Sequence, residues 1–403
     1  MEEFNAKFLQ DARALGEELA SWRRDLHRHP ELSFDLTYTK AFVKERLTEM
    51  GCEPVDCGRS GVVVVLGKGG GKTVLIRGDM DALPIQEQAD VPYRSEHDGK
   101  MHACGHDMHT AMLLGAAKLL KRYEDRLEGQ VKLMFQPAEE TLGGAKDMVA
   151  NGVLENPKVD AAMMIHVVTG TPVPKGALMI PEGGTGSASN DHFIIRVKGK
   201  GGHGAMPQLS VDPITAAAHI HIALQEIHAR ELTPSEFLVI TPGIFHAGTA
   251  SNIIPDTALL EGTIRASADE TSAFAMKRLK EIAENTAKVF RAEAEVEFVD
   301  HCPAMIADGE LSKAARSYLT ELLGQAVLPP LTGNASKIGG GSEDFAFVSE
   351  KVPTIGLILG AGCSNDGYTY PQHHPKAVFD DSVLTQGSAA YAYFALRWLK
   401  DNH

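Results

Sequence analysis

The feature that most constrains this chain is a change in the order of its elements between residues 186 and 300. On either side, short apolar strands alternate with amphipathic helices, the pattern of a mostly parallel sheet flanked by helices. Inside the segment the spacing predicts strand 193–198, helix 212–230, strand 237–245, strand 258–266, helix 270–290 and strand 294–299. That β-α-β-β-α-β order is the split, ferredoxin-like unit. The simplest organisation is an inserted α+β domain, 186–300, in a loop of a larger α/β domain made of 1–185 and 301–403. With 403 residues the chain is too long for one ordinary core, which also favours two domains.

In the larger domain, residues 6–28 carry Phe8, Leu15, Leu19, Trp22 and Leu26 at helical spacing, and a second helix is predicted from 37 to 50. "GVVVVLG" and "KTVLIRG" read as strands, and the "GKGGGK" joining them reads as the turn of a hairpin. The end of that turn, Gly71-Lys72-Thr73, matches the last three positions of a phosphate loop. The earlier glycine is replaced by Leu66 and the lysine enters a strand, so a nucleotide site is rejected. A helix at 107–122, strands at 131–135 and 161–165, a short helix near 143–152, a helix near 309–324, the strand "TIGLILG" and a helix at 382–399 complete the alternation.

The formal net charge of −14 argues against a nucleic-acid partner, which would require a basic stripe. No apolar run approaches a membrane span, and the charged N-terminal stretch lacks the apolar centre of a signal peptide. A soluble, cytoplasmic protein is the expectation. Five cysteines, an odd number scattered along the chain, do not suggest a disulfide framework. Cys52 and Cys57 read as reduced thiols.

Polar clusters follow the predicted strands. "VLIRG" leads to Asp79 and Asp81, "VKLMF" to Glu139 and Glu140, "AAMMI" to His166, and "TIGLILG" eventually to His373 and His374. Open α/β sheets build their sites beyond the C-terminal ends of strands. "MHACGHDMHT", from Met101, adds Cys104, His106 and Asp107. Thiolate, imidazole and carboxylate together suit a borderline-soft divalent ion such as zinc, with manganese, cobalt or nickel as alternatives. Five ligands, one of them bridging, would hold two ions, a setting in which water becomes a nucleophile near neutral pH. Of the adjacent pair Glu139 and Glu140, one can bind metal while the other moves a proton.

Seven segments resemble, in order and spacing, the amidohydrolase branch of the aminoacylase and glutamate carboxypeptidase superfamily. They are "HRHPELSFDLTYT", "RGDMDALPIQE", "MHACGHDMHTAMLLGAA", "FQPAEE", "GGHGAMPQLSVDPI", "ASNIIPDTALLEGTIR" and "GSEDFA". The resemblance implies a zinc-exopeptidase-like fold with an inserted lid and dimerisation domain, and thus a homodimer or higher homo-oligomer. It implies hydrolysis of the amide bond of N-acyl amino acids by two divalent metal ions. In its terms Cys104 bridges the ions, His106 and His166 complete one, and Glu140 with His373 completes the other; the register favours His373 over His374. Glu139 becomes the general base and acid. His203 helps to hold the oxyanion, Asn252 and Arg265 bind the substrate's carbonyl or carboxylate, and Asp81 and Asp107 orient ligand imidazoles. His102 and His109 are read as supporting residues, and His219, His221 and His228, scattered around one helix, are not a metal site.

Three other functions are weighed. One is a dipeptidase or carboxypeptidase acting on unblocked peptides at the same dinuclear site. Another is a hydrolase with Cys104 as nucleophile and His106 or His109 as base. The last, a non-catalytic metal-binding protein, has no use for Glu139.

Overall fold

A computed structural model describes residues 2–330 and 341–402. The chain divides into two compact units: residues 1–186, 306–337 and 347–403 form the first, and 187–305 with 338–346 the second.

The first unit is built on a seven-stranded sheet. Its order is Val55–Cys57, Gly61–Leu66, Gly129–Gln136, Lys72–Asp79, Ala161–Thr171, Thr354–Cys363 and Leu178–Met179. The four central strands, from Gly129–Gln136 to Thr354–Cys363, are parallel. Parallel strands put all their C-terminal ends on one edge, so residues that follow them in sequence meet in space. Helices His106–Arg122 and Leu384–Asp401 pack on each other and on the central strands. The buried face of the latter carries Tyr391, Tyr393, Phe394 and Trp398.

Two sequence expectations change. The helical stretch at 6–28 is two helices, Glu2–Arg13 and Gly16–Arg28, because a glycine, a poor helix former, falls at the break. The expected hairpin does not form. Strand Gly129–Gln136 lies between its two arms, antiparallel to Gly61–Leu66 and parallel to Lys72–Asp79. The glycines of the connection serve a close crossing instead. At Gly67, with φ +93°, a Cβ would lie 2.4 Å from the Gly129 carbonyl oxygen, so only glycine lets the chain pass the end of the intervening strand.

The second unit has a four-stranded antiparallel sheet, ordered Leu238–Ala247, Thr257–Ala266, Asn190–Lys198 and Glu293–Cys302, with helices Pro213–Ala223 and Asp269–Val289 against it. Numbered by sequence the order is 2-3-1-4, as the β-α-β-β-α-β reading requires. Its separate core includes Phe193, Ile195, Ile220, Leu260 and Leu279. No helix among the described residues is long and apolar enough to cross a membrane.

Candidate metal centre

Four segments of the first unit deliver side chains to one edge of the parallel sheet. Cys104 and His106 flank Gly105, whose φ of +91° makes the turn into helix His106–Arg122. Glu139 and Glu140 follow strand Gly129–Gln136, His166 lies on strand Ala161–Thr171, and His373 follows strand Thr354–Cys363. The backbone is tense around them: Ala138, Leu142 and His373 are non-glycine residues with φ of 53°, 53° and 63°. Such conformations cost on the order of 1–3 kcal/mol each and persist only where the surroundings impose them.

The donor atoms converge. Cys104 Sγ lies 3.5 Å from His166 Nε2 and 3.3 Å from His373 Nε2. Glu140 Oε1 is 3.6 Å from His373 Nε2 and 3.8 Å from His106 Nε2, and Glu139 Oε2 is also 3.8 Å from His106 Nε2. Cys104 with His106 and His166, and Cys104 with Glu140 and His373, form two groups whose ligand atoms lie within 4.8 Å of one another.

Backbone carbonyls fix which imidazole nitrogen faces the cluster. His106 Nδ1 donates to the Asp81 carbonyl at 2.8 Å and His166 Nδ1 to the Val167 carbonyl at 2.7 Å. Each Nε2 therefore faces the cluster and is the atom that offers a lone pair when the ring is neutral. Among the described residues, His106 Nε2 and Glu140 Oε1 are buried without a hydrogen-bond partner, a costly state for polar atoms unless a cation meets them.

The local charges agree. Burial opposes a charge on His106, but Asp79 and Cys104 outweigh it and hold the imidazole well above its ordinary value. Burial, reinforced by His109, pushes His166 down to about 3, leaving it a neutral donor. Burial raises both the Cys104 thiol and the Glu140 carboxyl. A positive charge at the cluster offsets the burial of Cys104 and Glu140 and takes the place of the proton that Asp79 and Cys104 favour on His106, so the donor set fits a divalent ion.

The remaining residues separate. His374 stacks on Tyr370 at 4.4 Å and accepts the Lys376 N–H, so it is His373 that joins the cluster. Both nitrogens of His109 are engaged: Nδ1 donates to Asp79 at 2.5 Å and Nε2 accepts the Val167 N–H at 2.8 Å. Asp81 supports the site differently from the sequence expectation. Its carbonyl holds His106, while its carboxylate accepts the N–H of Glu139 at 2.9 Å and of Glu140 at 3.2 Å. Asp107 touches no ligand imidazole; its carboxylate takes Arg23 Nε and His27 Nδ1, both at 2.7 Å. Sequence reasoning named Asp79 at the strand end without giving it a role, and left out Arg77, Arg23, His27 and Glu87. Arg77 lies 2.7 Å from Asp79, and His27 is 3.3 Å from Glu87. A buried arginine inside the apolar run "VLIRGD" was the available hint.

In the second unit, His203 and Asn252 are exposed neighbours. Gly202–His203 pairs with Ile253–Ile254, and the Asn252 carbonyl accepts the Gly204 N–H at 2.9 Å. Arg265 is half-buried, donates to Ser342 Oγ, and has no ion pair among the described residues. Glu343 closes its own loop, accepting the Phe345 N–H at 2.9 Å.

The chain is similar over nearly its whole length to a known group of proteins. The chain is 37% identical to the N-acetylcysteine deacetylase of Bacillus subtilis, over 95% of this chain and 97% of that one. It is 36% identical to thermostable carboxypeptidase 2 of Saccharolobus solfataricus, over 97% and 98% of the two chains. A solved Bacillus subtilis structure, described as a dinuclear metal binding peptidase from the M20 family, matches with a TM-score of 0.81 and 34% identity, covering 96% of this chain and 99% of that one. The profile of peptidase family M20/M25/M40 matches residues 75–397, and with these relatives it establishes that the chain belongs to that family.

Proposed function

We propose that this protein hydrolyses the amide bond of N-acyl amino acids, such as N-acetyl or N-benzoyl derivatives, releasing a carboxylate and a free amino acid. The observation that carries the reading is the convergence of Cys104, His106, Glu140, His166 and His373 beside Glu139. These five ligands would hold two divalent ions, Zn²⁺ or Mn²⁺, with Co²⁺ and Ni²⁺ as further candidates and Cys104 between them. Such ions supply Lewis acidity and make water a nucleophile near neutral pH.

Glu139 takes the proton of the attacking water at a carboxylate oxygen and returns it to the departing amine. Its backbone N–H is held by Asp81, which supports a fixed approach. The nucleophile is water and not Cys104, whose thiol stands between two imidazole nitrogens and is pushed up by burial. His203 is assigned to the oxyanion: its Nδ1 accepts the Ala205 N–H at 3.0 Å, leaving an Nε2–H to donate. Asn252 and Arg265, which has no ion pair among the described residues, are assigned to the substrate's carbonyl and carboxylate.

A homodimer through the second unit fits its sheet. Among the described residues the outer strand Leu238–Ala247 is paired on one side only, and it exposes Val239, Ile244 and Phe245, an edge that a second copy would cover.

The 36% identical carboxypeptidase keeps peptide cleavage at the same centre as a second reading. Assay of the metal-loaded chain against N-acetyl and N-benzoyl amino acids and against unblocked dipeptides separates the two. Release of amine from the blocked substrates is expected; cleavage of unblocked dipeptides alone would overturn the proposal.

A further inference from the structure

Away from the metal centre, a groove of 640 Å³ runs along helix Gly16–Arg28 and the start of helix Leu384–Asp401. Arg13, Arg24 and Arg28 line it together with the hydroxyl residues Ser21, Ser382 and Thr385. The chain has 53 acidic residues against 39 lysines and arginines, so three guanidinium groups in one concavity run against the charge of the molecule.

Among the described residues, Arg13 and Arg28 make no ion pair; Arg24 pairs with Asp381 at 2.7 Å. The other lining carboxylate is Glu17, so cations remain in excess by one. Arg24 and Arg28 stand about 6 Å apart along their helix, while Arg13 ends the preceding helix and lines the groove from beyond Gly16, at the far end of a helix that rises about 18 Å. That spacing suits two separated anionic groups better than one. To draw Arg24 from Asp381 a ligand must be more highly charged than a carboxylate, and a phosphate monoester carries about −1.5 to −2. Arginine forks also match phosphate oxygens in pairs.

The groove is joined to the metal-binding turn. The second oxygen of Asp381 accepts Arg23 Nη1 at 3.0 Å, and Arg23 Nε donates to Asp107, the residue after His106. Arg23 and Asp107 are fully buried, so the chain of charges has no solvent to screen it.

We propose that this groove is an effector site for a small molecule carrying two phosphate groups, and that occupancy changes the hold of the Cys104–His106 turn on metal. Binding pulls Arg24 to the ligand and leaves Asp381 to Arg23 alone, which shifts the balance of Arg23 between Asp381 and Asp107.

Calorimetric titration of the metal-loaded full chain with fructose 1,6-bisphosphate tests the site. One equivalent per chain is expected, weakened at least about tenfold in the double variant Arg13→Ala/Arg28→Ala, whose hydrolysis without the anion stays at the wild-type level. Absence of binding, or equal binding by wild type and double variant, overturns the site, the second result placing the anion elsewhere, the metal centre included. Metal affinity, read by competition with a chromophoric chelator, should change on saturation in the wild type and not in Arg24→Ala. An unchanged affinity in the wild type overturns the coupling. The calorimetric arm does not depend on the proposed activity, so the two can fail separately.

Discussion

Replacing Gly105 by alanine tests whether the turn between Cys104 and His106 is what assembles the centre. Gly105 holds φ +91° and ψ +18° and is buried. A Cβ there would lie 2.5 Å from Val167 Cγ2 and 3.0 Å from Phe379 Cε1. The left-handed backbone costs an L-residue about 1–2 kcal/mol, and forcing a methyl into a packed site adds about 1–3 kcal/mol, so a total of about 2–5 kcal/mol is expected. Gly99→Ala is the control, since Gly99 has φ +74° but open space around its missing Cβ; it carries the backbone cost alone. The two variants are to be compared by urea unfolding of the metal-free chains and by competitive metal titration. Val167 follows His166, so the clash disturbs both halves of the donor set, and metal affinity should fall by roughly the 10–100-fold typical of displaced supporting groups. If Gly105→Ala unfolds no more readily than Gly99→Ala and binds metal as wild type does, the turn is not the organising element.

Glu139→Ala should lower kcat by about 10²–10⁴-fold, the range of general acid–base catalysis, with metal content retained by elemental analysis; loss of metal would exchange the roles of Glu139 and Glu140. Cys104→Ser should weaken metal binding by more than the roughly 10–100-fold lost with an outer partner, and unchanged stoichiometry would refute the bridging role. For His27, burial opposes protonation but Asp107 and Glu87 outweigh it, raising the folded-state value above the ordinary 6.5. Its stabilisation is then complete below 6.5 and is lost as pH rises through the raised value. Urea midpoints of wild type and His27→Gln should therefore converge from pH 6 to alkaline pH, and a constant gap would remove the charge from the explanation.

What the sequence revealed depended on how local its causes were. Cys104 and His106 were readable because the turn and the helix that present them are contiguous, and Glu139, Glu140 and His166 because strand ends are written as apolar runs that stop. His373 and His374 were separable only by the loop: one has φ of +63° and reaches Cys104, the other stacks on Tyr370. The hairpin failed because strand pairing is a tertiary choice; residues 129–136 come some sixty positions later and still insert between its arms. Asp81 was readable as a support, but its use of a carbonyl for His106 and a carboxylate for two backbone N–H groups follows from backbone direction, which spacing does not encode. The partners Arg23 and Asp107 are 84 residues apart and leave no periodic trace.

Those long-range ion pairs decide where the negative charge of the catalytic unit is felt. Asp79 is matched by Arg77, and Asp107, Asp381 and Glu87 are matched by Arg23, Arg24 and His27. Removing one partner from such a buried pair leaves an uncompensated charge, which costs far more than the pair contributes. The outer carboxylates are thus locked to cations of the chain itself and are poor competitors for a metal. Asp81, held by two backbone N–H groups, is likewise turned away from the cluster. Among the described residues, the unanswered donors are the inner ones: Cys104 Sγ, Glu140 Oε1 and the Nε2 of His106, the last two buried without a partner. Neutral surroundings at low effective dielectric strengthen their attraction for a divalent cation. Selectivity of position therefore comes from the arginines and His27 as much as from the ligands, because they leave these inner donors as a place where a positive charge is still required.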